Sequence, residues 1–368
     1  MKIRAATLFL DLTGKDTPAI RSYLKDRIHS FIEALDEFRS RGVIWGRGVR
    51  VSVSHPYTDE GKVKIARIVR EECEDIGVNM ISGFVYDASI EDPRILEDLS
   101  DIGVYISVKP GSPEYYSRII ESLSKISYRD PISLTRIAIL LGKGDSLLTP
   151  YFPLSMNVRC GEGVALALLY AKDLIDAYRR GGLTGMVEAT CRTLSEAESI
   201  GKCIASRIGI DYYGLDYSLS PWMDDSVALL VEELAGSVLP NPGSLYTVSK
   251  INSLIREAAI RCKIAFTGFC EIMLPVAEDD ILKERVYEGV LRLRDLITLS
   301  CFCVAGVDMV VIPVEALEKI MVGMMLDLSE VSKLKGKPIG LRIIPYPGVK
   351  PRDQVDLGIF GRVPVIEI

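Results

Sequence analysis

Hydrophobic and polar positions along the first 142 residues follow two alternating periods. Short apolar runs that end at Gly, Pro or polar residues predict strands over 3–12, 49–54, 78–85, 104–110 and 136–142. Between these runs, apolar positions three and four residues apart predict helices over 17–41, over 59–76, from Pro93 and over 113–127. Strands that alternate with helices are typical of a parallel α/β sheet.

The rest of the chain has a larger share of helical periodicity. It predicts helices over 162–180, 185–208, 223–236, 243–262, 278–301 (with a break near Gly289) and 314–332. Strands are predicted over 212–219, within 264–275, and over 309–313, 339–345 and 363–368. We find no repeat, linker or low-complexity segment, so a single α/β domain over 1–368 is the simplest interpretation.

Roughly ten strands with helices between them fit either a doubly wound sheet or an α/β barrel. In both folds the functional face lies at the carboxyl ends of the parallel strands. This rule favours the residues at predicted strand ends, which are Asp11, His55, Lys109, Asp216, Pro313 and Pro345. Of the two histidines in the chain, His55 is therefore the better acid–base candidate, because His29 lies within a predicted helix.

Charge and hydropathy narrow the function classes. The 368 residues include 44 basic and 50 acidic side chains, a net charge of −6. This balance argues against a nucleic acid or a membrane as the main partner, but allows a small anionic metabolite, which needs only one or two local cations. No signal peptide is evident and no apolar run approaches the ~20 residues that span a bilayer, so we expect a cytoplasmic protein.

The amide and thiol content bears on the source and on disulfides. One Gln and four Asn are few for this length, which suggests a thermophile. The eight cysteines have irregular spacing and do not indicate a disulfide framework, although thermophile cytosols tolerate disulfides. The sequence leaves open whether any cysteines pair and whether the chain forms a homo-oligomer.

A glycine-bearing turn at residues 157–169, "NVRCGEGVALALL", is the first candidate anion site. If it opens a helix, free N–H groups near Gly161 and Gly163 could bind a phosphate or carboxylate, with Arg159 adding charge. The alternative is a plain strand-to-helix turn, with Glu162 in the first helical turn.

Two acidic segments form a second candidate site. "LDYSLSPWMDDSV" contains Asp216, Asp224 and Asp225, and "LPVAEDDIL" contains Glu278, Asp279 and Asp280. Acidic residues ahead of an apolar period are favoured helix caps. The alternative is that the two loops meet and offer oxygen ligands to Mg²⁺ or a proton acceptor. We assign no metal ligand. The chain has only two histidines, which argues against a histidine-based metal site.

Arg342 and the stretch "TLSCFCVAGVDMVVIP" (298–313) complete the candidates. Arg342 stands inside a predicted strand, and a buried Arg needs an anionic partner, either a structural carboxylate or a ligand. Cys301 and Cys303 are either small buried hydrophobes or a source of one reactive thiol. Asp308 could simply accept hydrogen bonds from backbone donors at the strand start.

Several motifs, in order along the whole chain, resemble a widespread bacterial and archaeal family of unknown function. They are "IRAATL", "GLDYSLSP" with "DSVA", "LPVAEDD", "CVAGVDMVVIP", "RIIPYPG" and "GIFGRVPVIEI". The resemblance draws attention to Cys303, Glu278, Asp279, Asp308 and Arg342, which fall on its motif positions. Where the family has Ser-Gly-Pro-Gly, this chain has Cys-Gly-Glu-Gly at 160–163.

The family's fold resembles the ten-stranded α/β barrel of the pyruvate formate-lyase-like glycyl radical enzymes. The resemblance implies a barrel with helices outside and a hairpin loop inside whose tip carries a catalytic cysteine. Residues 296–310 are expected to reach toward the interior, with Cys303 facing the cavity and Cys301 packed in the core. The last residues lack the R-x-x-G-Y glycyl radical motif, so non-radical chemistry is expected.

These observations lead to an expected function with one rival. The leading interpretation is an enzyme acting on a small anionic metabolite, with Cys303 as nucleophile or acid and Glu278 or Asp279 as base. Arg342 or Arg159 would bind the anion. The rival is a non-catalytic metabolite sensor, and the resemblance implies a small ACT-domain regulatory protein as a partner. The sequence identifies no cofactor.

Overall fold

The computed structural model describes residues 1–142, 147–159 and 161–368, and these form a mixed α/β structure. The strands are β1 (Lys2–Asp11), β2 (Val49–Ser54), β3 (Ile81–Ser82), β4 (Phe84–Asp87), β5 (Ile106–Lys109), β6 (Ile137–Leu141), β7 (Gly163–Leu169), β8 (Asp211–Asp216), β9 (Met273–Pro275), β10 (Ala305–Asp308), β11 (Val310–Pro313), β12 (Ile339–Leu341), β13 (Ile343–Tyr346), β14 (Gln354–Asp356) and β15 (Arg362–Pro364).

The α-helices are α1 (Thr17–Ser40), α2 (Asp59–Asp75), α3 (Pro93–Ile102), α4 (Tyr116–Arg129), α5 (Ala171–Ile208), α6 (Val227–Ala235), α7 (Ser244–Arg261), α8 (Asp280–Tyr287), α9 (Leu293–Leu299) and α10 (Val314–Lys335). Short 3₁₀ helices cover Pro113–Tyr115, Pro131–Arg136, Val276–Glu278 and Gly358–Phe360. No helix in the described ranges combines the length and hydropathy needed to cross a bilayer.

The strands form two larger sheets and three pairs. The first sheet has the order β3-β2-β1-β7-β8, in which β1 and β2 are parallel and β1 and β7 are antiparallel. The second has the order β12-β6-β5-β4, and the pairs are β10–β9, β11–β13 and β14–β15. The predicted α/β class is therefore confirmed, with mixed rather than purely parallel sheets.

Backbone hydrogen bonds also join the edges of these sheets. They are Tyr105 N to Ile81 O (2.8 Å), Gly340 N to Val304 O (3.0 Å), Arg342 N to Val307 O (3.1 Å) and Met273 N to Leu219 O (2.9 Å). The sheets are thus neighbours along these edges. Because the strand ladders of the described residues form separate sheets, a closed ten-stranded barrel stays a prediction.

The first half follows its sequence pattern closely. Residues 3–10 of β1 are all buried, as expected for a strand covered on both faces. Helix α1 buries apolar residues at three- and four-residue intervals and is capped by the Asp16 side chain, which accepts a hydrogen bond from Ala19 N at 3.0 Å. The first strands and helices therefore lie where periodicity places them, within a few residues.

The predicted helix over 162–180 is wrong for its first half and confirmed from Ala171 onward. Residues Gly163–Leu169 form strand β7 between β1 and β8, and helix α5 begins only at Ala171. The run "GVALALL" is apolar at every position after its glycine, so its periodicity cannot distinguish a buried strand from a buried helix. The predicted turn after residue 180 corresponds to a break in α5 at Gly181 and Gly182.

Residues 147–157, which we call the interior segment, are buried throughout without forming helix or strand. A buried coil needs partners for its polar backbone groups. Hydroxyls from four different strands supply several of them, namely Thr7 Oγ1 to Pro150 O (3.0 Å), Ser82 Oγ and Ser107 Oγ to Pro153 O (both 3.0 Å), and Ser52 Oγ to Ser155 O (3.4 Å). The sequence analysis did not foresee this segment.

Asp279 links the starts of two helices. Its fully buried carboxylate accepts hydrogen bonds from Ile281 N (3.0 Å) and Leu282 N (3.3 Å) at the start of α8. It also accepts from Val227 N (2.9 Å) and Ala228 N (3.1 Å) in the first turn of α6. One side chain thus satisfies free N–H groups of two helices, as a helix cap does for one.

We expect Asp279→Ala to lower the free energy of unfolding by about 1–4 kcal/mol, because two helices each lose a cap worth ~0.5–2 kcal/mol. The neighbouring Asp280→Ala, whose side chain is half exposed and pairs with Lys283, should cost less than about 1 kcal/mol. Urea denaturation followed by circular dichroism measures both. Equal losses for the two variants would contradict the double-cap role.

Candidate functional site

A cavity of about 300 Å³ lies against the interior segment and is lined by charged side chains from distant parts of the chain. Arg4 comes from β1, Arg50 from β2, and Asp308 from the end of β10. Glu278 comes from the 3₁₀ helix before α8, and Arg342 from the residue between β12 and β13. Five charged groups therefore meet in one largely buried space.

Four of these charges form one connected network, in the order Arg4, Glu278, Arg342, Asp308. The Arg342 guanidinium binds both oxygens of Asp308, with Nε to Oδ1 at 2.6 Å and Nη2 to Oδ2 at 3.0 Å. The same Nη2 lies 3.2 Å from Glu278 Oε1, and Arg4 binds the other oxygen of Glu278. Two cations and two anions balance, as buried charges require.

Burial and ion pairing shift the pKa values of these groups in opposite directions. Burial would raise the pKa of Glu278, but the Arg4 and Arg342 guanidinium groups hold it below its usual value. Burial raises the pKa of Asp308 despite its bond to Arg342. Burial would lower the pKa of Arg342, yet Asp308 and Glu278 raise it. Glu278 is thus an ionised and weakly basic carboxylate while both arginines hold it.

Arg50 stands apart from the network. Its side chain is only 4% exposed, and the one hydrogen bond it makes within the described residues runs from Nη1 to Pro150 O at 3.3 Å. The guanidinium carbon lies 5.2 Å from the centre of the Phe152 ring. Burial and the charge of Arg4 lower the pKa of Arg50 to about 10, so it remains a cation at neutral pH. No acidic group among the described residues pairs with it.

Aromatic and exposed basic residues complete the cavity wall. Trp45 and Trp222, the chain's two tryptophans, both line it, with ring centres 4.7 Å apart. Arg39 and Arg47 also line it and are exposed, so the cavity opens to solvent on their side. An anion entering there meets first two solvated arginines and then the buried ones.

Three of the residues singled out from the sequence are brought together here. Glu278, Asp308 and Arg342 all line the cavity and bind one another. Arg342 has the structural carboxylate partner expected for a buried arginine. The hydrogen bonds that the Asp308 side chain accepts within the described residues come from Arg342, not from backbone donors at the strand start.

The other predicted carboxylates have separate partners. Asp279 caps two helices, and burial raises its pKa to about 6. Asp225 accepts a hydrogen bond from Lys172 N (2.7 Å), at the start of α5. Fully buried Asp216 accepts hydrogen bonds from Thr149, Ser218, Phe269 and Cys270. Among the described residues, no group of three Asp, Glu, His or Cys side chains is arranged to hold a metal ion.

The predicted anion site at residues 159–163 loses its physical basis, because Gly163 starts a strand and no helix begins there. The Arg159 side chain is exposed and lies 4.7 Å from the Tyr213 ring centre. Gly161 O accepts a hydrogen bond from Asn157 Nδ2 (3.2 Å). Glu162 pairs with Arg27 at 2.6 Å. Cys160 lies outside the described residues.

The two thiols are buried in the opposite order to that expected. Cys303 is fully buried, and the described residues that line the cavity do not include it. Burial raises the pKa of its thiol to about 12, although Lys335 opposes the shift. Cys301 is partly exposed. Within residues 296–310, Ala305 and Asp308 do reach the cavity. A catalytic role for Cys303 stays a prediction.

Sequence reasoning missed Arg4 and Arg50. Both stand inside apolar strands, in "KIRAATLFLD" and "VRVSVS", and the rule that drew attention to Arg342 applies equally to them. It also missed the cavity wall formed by Tyr151, Phe152 and Leu154 of the interior segment. No periodicity marks that segment.

Comparison with known proteins gives the family. Residues 154–358, more than half of the chain, match the family described as Uncharacterised ACR (DUF711), so the chain belongs to it. A UPF0210 protein of Pyrobaculum arsenaticum is 24% identical over 417 residues, covering 100% of this chain and 90% of that protein. One from Methanopyrus kandleri is 25% identical over 339 residues, covering 84% and 74%. One from Pyrobaculum aerophilum is 28% identical over 207 residues, covering 50% and 46%.

These relatives include thermophilic archaea, which agrees with the amide-poor composition.

For the thiols, we expect iodoacetamide to label Cys301 faster than Cys303 in the folded protein, because only an accessible thiolate reacts. Cys303→Ser should cost about 1–3 kcal/mol of stability, since a hydroxyl is buried without an assured partner. Cys301→Ser is the matched control and should cost under about 0.5 kcal/mol. Faster labelling of Cys303, measured by peptide mass spectrometry, would restore the thiol as a catalytic candidate.

His55 gives a pH prediction. Its ring packs between Tyr57 and Phe84, and burial, with the charge of Lys62, lowers its pKa to about 4. The unfolded chain, with a pKa near 6.5, binds the proton first, so stability should fall as pH drops from 7 toward 4. Between pH 7 and pH 4, the free energy of unfolding of wild type should fall by roughly 2–3 kcal/mol more than that of His55→Phe. Replacing the exposed His29 by Gln is the control. Parallel pH profiles for wild type and His55→Phe would refute the prediction.

Proposed function

We propose that this member of the Uncharacterised ACR (DUF711) family binds a small anionic metabolite in the arginine-lined cavity. The observation that carries the proposal is Arg50, a buried guanidinium beside an open cavity with no acidic partner among the described residues. A buried charge without a partner is costly, and a bound anion would remove that cost.

The charge balance supports the same conclusion. The buried wall has three cations, Arg4, Arg50 and Arg342, against two anions, Glu278 and Asp308. The rim adds Arg39 and Arg47. The cavity is therefore positive in a protein whose net charge is −6, so its field attracts small anions specifically to this place.

The leading proposal for the chemistry is a non-radical reaction with Glu278 as proton acceptor. The charge of Arg50 also lowers the pKa of Glu278. An anion bound to Arg50 offsets that charge and so raises the pKa of Glu278 toward a useful value. Glu278 is favoured over Asp279 because it lines the cavity, while Asp279 is occupied by helix N–H groups. Cys303 would need a rearrangement to meet a ligand.

The second candidate is a metabolite sensor without turnover. It is favoured by the raised pKa of Cys303 and by the full pairing of both cavity carboxylates, so the described lining residues include no activated nucleophile. A small ACT-domain regulatory protein and a homo-oligomer belong to this proposal as partners. Incubation with metabolite mixtures followed by mass spectrometry separates the candidates, since a sensor leaves its ligand unchanged.

We also propose that the sheets are arcs of one barrel resembling that of the pyruvate formate-lyase-like enzymes. The hydrogen bonds between sheet edges support this, as does the buried interior segment. Residues 147–157 contain no cysteine, in contrast to the interior loop of those enzymes, and the 368 residues contain no R-x-x-G-Y motif. Both features support non-radical chemistry.

Glu278→Gln tests the site directly. Removing one negative charge from the wall should tighten the binding of acetate, succinate or phosphate about 3- to 10-fold, equivalent to about 1 kcal/mol. If Glu278 is the base, the same change should abolish turnover. The two cavity tryptophans allow binding to be followed by fluorescence titration.

Asp280→Asn is the matched control, because it removes an acidic charge two residues away in the sequence but outside the cavity lining. It should leave the dissociation constants unchanged. If no anion alters the fluorescence of wild type or of Glu278→Gln at millimolar concentration, the proposed function is wrong.

A further inference from the structure

We infer that the ligand is a monocarboxylate with an apolar body, whose carboxylate binds Arg50. This inference rests on the proposed function and adds the ligand class and the anchoring residue. It follows from where the unbalanced charge lies and from what surrounds it.

The positive charge of the buried wall is localised. Arg4 and Arg342 are neutralised by Glu278 and Asp308 through four hydrogen-bonded contacts. Among the described residues, only Arg50 keeps an unbalanced charge, so the described wall of the buried cavity holds one excess positive charge. One carboxylate neutralises it, whereas a second buried negative charge would face Glu278 and Asp308 without a free cation.

The rest of the wall is largely apolar. Arg50 lies over Phe152, whose ring centre is 5.2 Å from that of Tyr105. Further cavity residues belong to one buried apolar cluster, namely Ala138, Tyr151, Leu154, Phe269, Met273 and Ala305. A wall of this kind stabilises an apolar ligand body by removing its surface from water.

The size of the cavity restricts the ligand further. A volume of about 300 Å³ is at the lower end of the range for small-molecule sites, ~300–1,000 Å³. Dinucleotides and coenzymes exceed it and would extend out through the opening beside Arg39 and Arg47. The part of the ligand that the cavity encloses is therefore small.

A dianion is the competing ligand, with its second charge at the rim. The rim offers Arg39 and Arg47, but both are exposed and Arg39 lies 3.5 Å from Asp36. Exposed charges are screened by water and salt and contribute little. The buried, unpaired Arg50 is the stronger anion-binding group, which favours the monoanion.

The test compares five probes by tryptophan fluorescence on the full chain. 3-Phenylpropionate carries one charge and an apolar body, 3-phenylpropionamide lacks the charge, acetate lacks the body, and glutarate and phenyl phosphate carry a second charge. We expect 3-phenylpropionate to bind at least 10-fold more tightly than each of the others. Equal or tighter binding of glutarate or phenyl phosphate overturns the monoanion assignment.

Arg50→Met should weaken the binding of 3-phenylpropionate at least 10-fold and leave the binding of 3-phenylpropionamide unchanged. Arg47→Met, at the rim, is the control and should change binding less than 3-fold. Unchanged 3-phenylpropionate binding in Arg50→Met refutes the anchor. If Arg50→Met does not fold, Arg50→Lys decides: it keeps the charge but loses the guanidinium geometry, so it should bind the acid more weakly than wild type yet still prefer it over the amide.

The outcomes separate this inference from the proposed function. If acetate, glutarate or phosphate bind but the apolar body gives no gain, the inference fails and anion binding stands. If no anion binds, both fail.

Discussion

The bonds of Arg4, Glu278, Arg342 and Asp308 hold distant parts of this chain in one place. Arg4 and Glu278 are 274 residues apart, and Arg342 lies 64 residues beyond Glu278. Removing one member of such a buried set leaves its partners charged and unpaired, which costs ~3–5 kcal/mol, more than the intact set gains over apolar replacements. The network therefore contributes more to fixing which segments meet than to overall stability.

This charge network and the interior segment together shape the cavity. Hydroxyls of Thr7, Ser52, Ser82 and Ser107 hold the carbonyls of the segment against four strands, and the segment in turn places Phe152 under Arg50. The charge network occupies one part of the wall and the apolar cluster another. The space between them thus has paired charges in one part and, in another, Arg50, which has no acidic partner within residues 1–142, 147–159 and 161–368.

The early elements could be predicted from sequence because local signals agree there. Helix α1 has a cap, an apolar stripe and a glycine after its end, and β2 was placed at its observed bounds. Strand β7 could not, since an unbroken apolar run has no period to separate strand from helix. The interior segment, "LLTPYFPLSMN", has neither period nor caps, and its burial depends on hydroxyls contributed by strands far away in sequence.

The site, like the fold, could be predicted from the sequence only where the signal is local. One rule needs only local sequence: an arginine inside a strand needs an anionic partner. This rule identified Arg342, and it applies equally to Arg4 and Arg50. Which carboxylate pairs with which arginine depends on the fold, and so does the finding that Arg50 pairs with no carboxylate in the part of the chain that the structure describes. The thiols show how a local signal can mislead. A motif drew attention to Cys303, but a reactive thiol needs solvent access and a lowered pKa. Full burial removes access to Cys303 and raises the pKa of its thiol. The described lining of the cavity therefore offers carboxylates and arginines to a ligand, and not the Cys303 thiol.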